Sequence, residues 1–395
     1  VIEYQDGVVL EHIGGWGNTQ ELLVRMADGS AHKAIHYLDN NPVQLIPGDQ
    51  VRLNTTAVTL DLGSGGYHYV HSVIHSRTLP YTEQDSSHGH IMKLRYTSLQ
   101  RSVLAAEEPS SPYHEQFVRH QSLDGMPVLI GELHSMLPIV AAWITWGQLK
   151  CNPAERVKLS YIMSDGAALP FSFSKHAQLI RELGWITGSV TYGHAYGGDV
   201  ETVNKYTALL ASKYILKSDI AVVIMGPGIV GTGTILGHSG MEVSELIHAV
   251  TMLGGQPIVI PRISFADVRE RHYGISHHLL TLLSQFTLVP VSLPIPTNLP
   301  LQQVDLLQQQ LRDYKLADKH HITLIDAISS DQVEQSLMIY PSDVKTMGRC
   351  FVDDPTFYIS ISCAAEQALR YVRSAQAVAL ASALDGECDA DQLTP

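Results

Sequence analysis

IAVVIMGPGIVGTGTILGHSGMEVSELIHAVTMLGGQPIVIPRI, residues 220–263, reads as strand, glycine-rich loop, helix and strand. Its first and last apolar runs have strand length, EVSELIHAVTMLG has helical spacing, and the glycine behind that helix is the residue that ends helices. Such a unit implies two parallel strands joined by a crossing helix. Working outward, the pattern repeats. PVLIGEL, VKLSYIMS and ITGSVTY come before it, LVPVSLPI and ITLIDAI after it, and SKHAQLIRELG and ETVNKYTALLASKYIL add helices. The expectation for 126–380 is a doubly wound, mostly parallel α/β domain. Its last helix lies around CAAEQALRYVRSAQAVALASAL, and a loose polar tail occupies 381–395.

Residues 1–78 have a different period. GVVLEHI, TQELLVRMADGSAHKAIHYL, VQLIPGDQVRLNTTAVTL and GYHYVHSVI alternate apolar and polar positions, and ADGS, IPGDQ and GSGG supply turns. That spacing predicts a small antiparallel β-barrel of the OB or SH3-like kind. Between the two domains, 79–125 reads as a linker holding PYTEQDSSHGH, one strand in IMKLRYTSL, and EEPSSPYHEQ.

Composition narrows the function classes. A chain of 395 residues with 45% apolar and 16% charged residues is globular and long enough for two cores. The net charge of −13 argues against a duplex nucleic-acid surface. Cys151, Cys350, Cys363 and Cys388 form no C-x-x-C pair, as expected in a reducing compartment. VIEYQDGVVLEHIGG lacks the features of a secretory signal, and the longest apolar run, 136–146, is short of the roughly 20 residues a membrane span needs. A cytoplasmic location without membrane attachment is expected.

In an open parallel sheet, ligands bind beyond the carboxyl ends of the strands. The residues there are polar in this chain: Glu132 and His134 after the first strand, Asp165 after the second, His194 and Asp199 after the third, and Arg262, Asp267, Arg269, Arg271, His272, His277 and His278 after the fifth. The fourth strand enters the glycine loop. Gly226, Gly228 and Gly231 fit G-x-G-x-x-G, but no helix begins inside the motif and no acidic residue follows about 20 positions on, so a nicotinamide dinucleotide is not favoured; Arg262, at the end of the next strand, would suit the 2′-phosphate of NADP if one bound. With no lysine in P-loop order, the loop reads as backbone N–H groups and the Thr232 and Thr234 hydroxyls around a phosphate or carboxylate, or else as close packing.

Arg262, Arg269 and Arg271 are candidates for an anion clamp, against ion pairing with neighbouring acids. Twenty histidines offer candidate ligands for a divalent metal, with His134, His194, Asp199, His272 and His277 placed to contribute. Adjacent His277 and His278 diverge by about 100° on a helix, so one of them at most is expected as a ligand. Ser276 is placed to cap the following helix, and Ser239 in GHSGM lacks the spacing of a hydrolase nucleophile.

The phrases NTTAVTLDLGSGGYHYV, KLRYTSLQ, MSDGAALP, GHAYGGDVETVN, GPGIVGTGT and RISFADVRERHYGISHH together resemble a bacterial family known only as a domain of unknown function. The resemblance spans most of the chain. It implies a bacterial cytoplasmic protein of unassigned activity, and it assigns no catalytic residue or cofactor.

The residues themselves favour an enzyme, of the hydrolase or transferase class, that binds a small anionic, phosphorylated or nucleotide-like ligand. The glycine loop and the three arginines would hold it, Asp165 or Asp199 would act as base or metal ligand, and His194 and His272 would transfer protons. The alternative is a regulatory module whose α/β domain senses a metabolite while the barrel binds a protein or single-stranded RNA through Tyr67, His68 and Tyr69. A third expectation gives the barrel only a role in homo-oligomer formation.

Overall fold

The structure is a computed structural model that describes residues 1–63, 65–78, 89–149, 151–152 and 155–390. Most of PYTEQDSSHGH, and the tail beyond residue 390, lie outside the described residues.

The first 75 residues close into a five-stranded barrel in the order β1-β2-β3-β5-β4, formed by β1 (Tyr4–Trp16), β2 (Thr19–Met26), β3 (Ala31–Tyr37), β4 (Gln50–Asn54) and β5 (His68–His75). Neighbours are antiparallel except β3 and β5. The single helical turn α1 (Thr56–Thr59) precedes β5. Alternation does the packing: Leu22 and Val24 of β2 and Val51 and Leu53 of β4 point inward with Val9 and Ala34. Two register shifts in β1 bend that long strand so that it pairs with both β2 and β4.

The linker folds against the second domain. A hairpin of β6 (Ile91–Lys93) and β7 (Arg101–Val103) precedes α2 (His114–Arg119). Lys93 is wholly buried, and its Nζ donates to Glu201 Oε2 (2.5 Å) and Ala195 O (2.6 Å), so an ion pair anchors the hairpin to the sheet.

In chain order the second domain runs β8 (Pro127–Gly131), α3 (Met136–Trp146), β9 (Leu159–Ser164), α4 (Lys175–Glu182), β10 (Ser189–Tyr192), β11 (Val200–Thr202), α5 (Lys205–Tyr214), β12 (Ile220–Met225), α6 (Glu242–Met252) and β13 (Gln256–Val259). It continues through an antiparallel pair, β14 (Ile263–Ser264) and β15 (Gly274–Ile275), then α7 (His277–Thr281), β16 (Ser292–Pro296), α8 (Leu301–Asp313), β17 (His321–Ile325), α9 (Ser330–Met338) and α10 (Pro355–Ala390). Eight of these strands form one sheet, β11-β10-β9-β12-β8-β13-β16-β17, parallel throughout.

Helices α3, α4, α9 and α10 pack on one face of the sheet and α5 to α8 on the other. Helix α3 is buried over Met136–Ile144, which explains a segment apolar on every side: it is a core helix between the sheet and α10. No helix among the described residues is long and apolar enough to cross a membrane.

The seven expected strands are present, and β11 is an eighth. The helix expected from Glu201 starts at Lys205, where Asn204 forms a capping box and leaves Val200–Thr202 to the sheet edge. The last helix begins earlier than expected, at Pro355, and continues through Ala390, so the first ten residues of the expected tail are helical.

Winding order opens a crevice at the strand ends. The chain leaves β8 towards β9 on one side and leaves β12 towards β13 on the other, although β8 and β12 are adjacent. Their carboxyl ends are therefore the point where connections diverge and open a gap.

Candidate functional site

Beyond that point a cleft of about 640 Å³ separates the barrel from the α/β domain. Trp16, Tyr67 and Tyr69 form its barrel wall, His134, Pro227 and Gly228 lie at the strand ends, and Phe173, Lys175 and His176 face them from the start of α4. Tyr69 and Tyr37 stack at 6.3 Å, and both rings meet Phe173 across the domain boundary. The Lys175 ammonium sits 3.9 Å from the Trp16 ring centre, a cation–π contact. None of the described lining residues carries a carboxylate, while Lys175 and Lys345 are cationic. Each ammonium has one carboxylate close by, Glu21 at 3.7 Å from Lys175 and Asp343 at 3.9 Å from Lys345.

His134 is fixed at the base of the cleft. Its Nδ1 lies 3.1 Å from Met225 O, an acceptor only, which assigns the proton to Nδ1. Its Nε2 then accepts from Ser174 Oγ at 2.6 Å, and the same hydroxyl oxygen caps α4 by accepting from Ala177 N–H. Burial pushes the imidazole down to about 4, so it is neutral at pH 7.

The other expected site residues fall in several places. Asp165 Oδ1 accepts the backbone N–H groups of His194 (2.6 Å) and Ala195 (3.2 Å), and His194 Nδ1 accepts from Leu94 N–H. Gly193 permits this: its φ is +65°, and a Cβ there would lie 2.3 Å from Asp165 Oδ2. Asp199 accepts two bonds from Ser189 and pairs with Arg181 at 3.3 Å. These groups fasten loops to the sheet.

The glycine loop pairs several of its own polar groups. Thr232 N–H donates to Gly237 O, Ser239 N–H to Val230 O, and the Thr232 and Thr234 hydroxyls pair with each other at 2.9 Å. Gly226 packs against Met163, Gly231 bridges to His238, and Val230, Ile235 and Leu236 project into solvent. The helix itself starts only at Glu242.

The three arginines likewise separate. Arg262 donates to Glu132 at 2.8 Å in a buried pair. Arg269 grips Asp267 through two bonds and, with Arg349 nearby, holds that carboxyl well below the usual carboxylate range. Arg271 makes no hydrogen bond or ion pair among the described residues, and its guanidinium lies beside Gly233 of the loop.

The loop ends in a cluster of histidines and a glutamate. The His238 ring stacks on His278 with centres 3.7 Å apart and planes at 11°. His277 and His272 lie 4.1 and 5.1 Å from His278. Donor atoms of Glu132, His238 and His278 lie within 4.8 Å of one another, as do those of His272, His277 and His278. Both nitrogens of His238, Nε2 of His277 and Nδ1 of His278 are buried without a partner among the described residues. An unsatisfied buried polar atom costs about 1–3 kcal/mol, so four of them together mark more than packing.

Burial is the first cause that holds all four imidazoles below their usual value, with His272 and His278 pushed down to about 3, and the Arg262 charge adds to it. Gly240 permits the close approach, because a Cβ there would lie 3.0 Å from both Glu132 Oε2 and His238 Nδ1.

Of the five expected metal ligands, only His272 and His277 share this cluster. His277 and His278, of which one at most was expected as a ligand, both sit in the first turn of α7 with ring centres 4.1 Å apart. Ser276 makes no side-chain cap and bonds His272 Nδ1 instead, at 2.9 Å. His238 escaped the sequence reading because it stands 40 positions before His278 and reaches it only when the loop folds back. Its signal was the Gly-His-Ser-Gly run, read for its serine.

No curated protein matches the chain. The family model described as protein of unknown function (DUF3866) matches residues 33–365, from the third barrel strand into the last helix, and the chain belongs to that family.

Proposed function

We propose that the chain is a cytoplasmic enzyme that binds a small anionic ligand with a planar ring, phosphorylated or nucleotide-like, in the cleft between its domains, and acts on it by hydrolysis or group transfer. The observation that carries this reading is the lining of the cleft, with aromatic walls, two lysines and no carboxylate at the divergence of β8 and β12. Aromatic faces favour a flat ring, and the ammonium groups favour the anion. His134 supports chemistry beyond binding. Its Nε2 holds the Ser174 hydroxyl while the Met225 carbonyl fixes the ring, the relation of a base to a nucleophile or a water that takes its place.

Calorimetric titration with the four ribonucleoside monophosphates and indole-3-acetate, against phosphate and acetate as ring-free controls, tests the reading. At least one ring-bearing anion is expected to saturate the protein below about 1 mM, and Lys175→Glu and Tyr69→Ala each to weaken it about tenfold, some 1.4 kcal/mol. Failure of every probe, or phosphate binding as tightly as the ring-bearing anions, sinks it. A short RNA that outcompetes every monomer would favour the regulatory alternative, in which the barrel's Tyr67 and Tyr69 read a strand.

A further inference from the structure

We propose that Glu132, His238 and His278, with His277 and His272 completing the shell, form a site for one divalent transition-metal ion of the zinc class beneath the glycine loop. The inference is independent of the cleft reading. Three separate segments deliver the donors: the end of β8 brings Glu132, the far end of the glycine loop brings His238, and the start of α7 brings His277 and His278. The two donor groups share His278, which makes this one site.

Imidazole nitrogens that are buried and lack any protein partner are the state metal ligation resolves. Ligands on zinc at about 2.0–2.2 Å from the ion stand roughly 3.3–3.6 Å apart. Donors now within 4.8 Å must close in to reach that spacing, and of the stacked His238 and His278 rings one must turn out of the stack so that both lone pairs meet the ion. The set is nitrogen and oxygen without sulfur, which fits zinc, manganese or ferrous iron; magnesium and calcium prefer all-oxygen shells, and cuprous ion prefers sulfur.

Outer partners orient the donors as ligands require. Arg262 takes one oxygen of Glu132, and Ser276 Oγ takes Nδ1 of His272, leaving Nε2 for an ion. Arg262 and Glu132 balance each other's charge.

The test uses the full chain, stripped with chelator and loaded with cobaltous ion, which reports coordination by its visible spectrum, alongside zinc analysis by mass spectrometry. About one ion per chain is expected. His238→Ala should abolish the spectrum, and Gly240→Ala, which removes no ligand, should weaken affinity about ten- to hundredfold by displacing Glu132 and His238. Lys175→Glu in the cleft should leave metal binding unchanged, so the failure of one proposal is distinguishable from failure of the other. If His238→Ala does not fold, His277→Gln, at a half-buried position, replaces it and should weaken binding at least tenfold. Absence of both cobalt spectrum and zinc in the parent chain overturns the site, as does parental affinity in the histidine variant and Gly240→Ala together.

Discussion

Arg262→Met, in chelator, should unfold with about 3–5 kcal/mol less stability than the parent chain in urea at pH 7.5. Arg262 is 6% exposed and Glu132 8%, and the guanidinium donates to the carboxylate at 2.8 Å. Removing the cation leaves a buried carboxylate uncompensated, and most of the loss comes from that stranded charge rather than from the hydrogen bond. Adding Glu132→Leu to Arg262→Met should therefore recover most of the stability. Zinc added to Arg262→Met should also recover part of it, since an ion at the histidines supplies the missing positive charge. A loss below about 1 kcal/mol for the single variant would mean that water reaches the pair, as it does surface ion pairs.

Stability should also fall steeply in mild acid. Burial holds His134 at about 4 and keeps His36, His176 and His320 below their usual value. In the unfolded chain these imidazoles titrate near 6.5. As the pH drops below about 6.5, the unfolded state takes up protons that the folded state refuses, so stability is full above that value and is lost progressively towards pH 4. His134 alone accounts for about 2 kcal/mol at pH 5, and the other three act in the same direction. Melting curves of chelated protein at pH 7.5, 6.0 and 5.0 should show the midpoint falling at each step. A midpoint unchanged from 7.5 to 5.0 would show that these rings are protonated in the fold.

Periodicity made the layers legible. Strands such as IAVVIM, buried on both faces of a parallel sheet, are continuous apolar runs, and the barrel strands alternate because only one face is buried. What was missed had no local signature. Three-residue β11 is too short for any period, and its place at the sheet edge is set by pairing with β10. At the site, Glu132 and His272 were visible as strand-end residues, whereas Trp16 and Phe173 lie in different domains and form one cleft only after docking. Asp165, Asp199 and Arg269 have the chemistry of site residues. Their partners, His194 N–H, Ser189 and Asp267, are known only from the folded loops.

The position of β8 has a consequence for synthesis. It is the first strand of its sheet to be made, yet its neighbours there are β12 and β13. About ninety residues separate Gly131 from Ile220, so at ribosomal rates of about 5–20 residues per second the nascent Val128–Ile130 segment waits on the order of 5–20 s for its first partner. The barrel, complete by residue 75, has no such delay. Newly made chains therefore carry a finished N-terminal domain and an unpaired apolar strand together, and the interval before β12 emerges is when they are most open to chaperones or to one another.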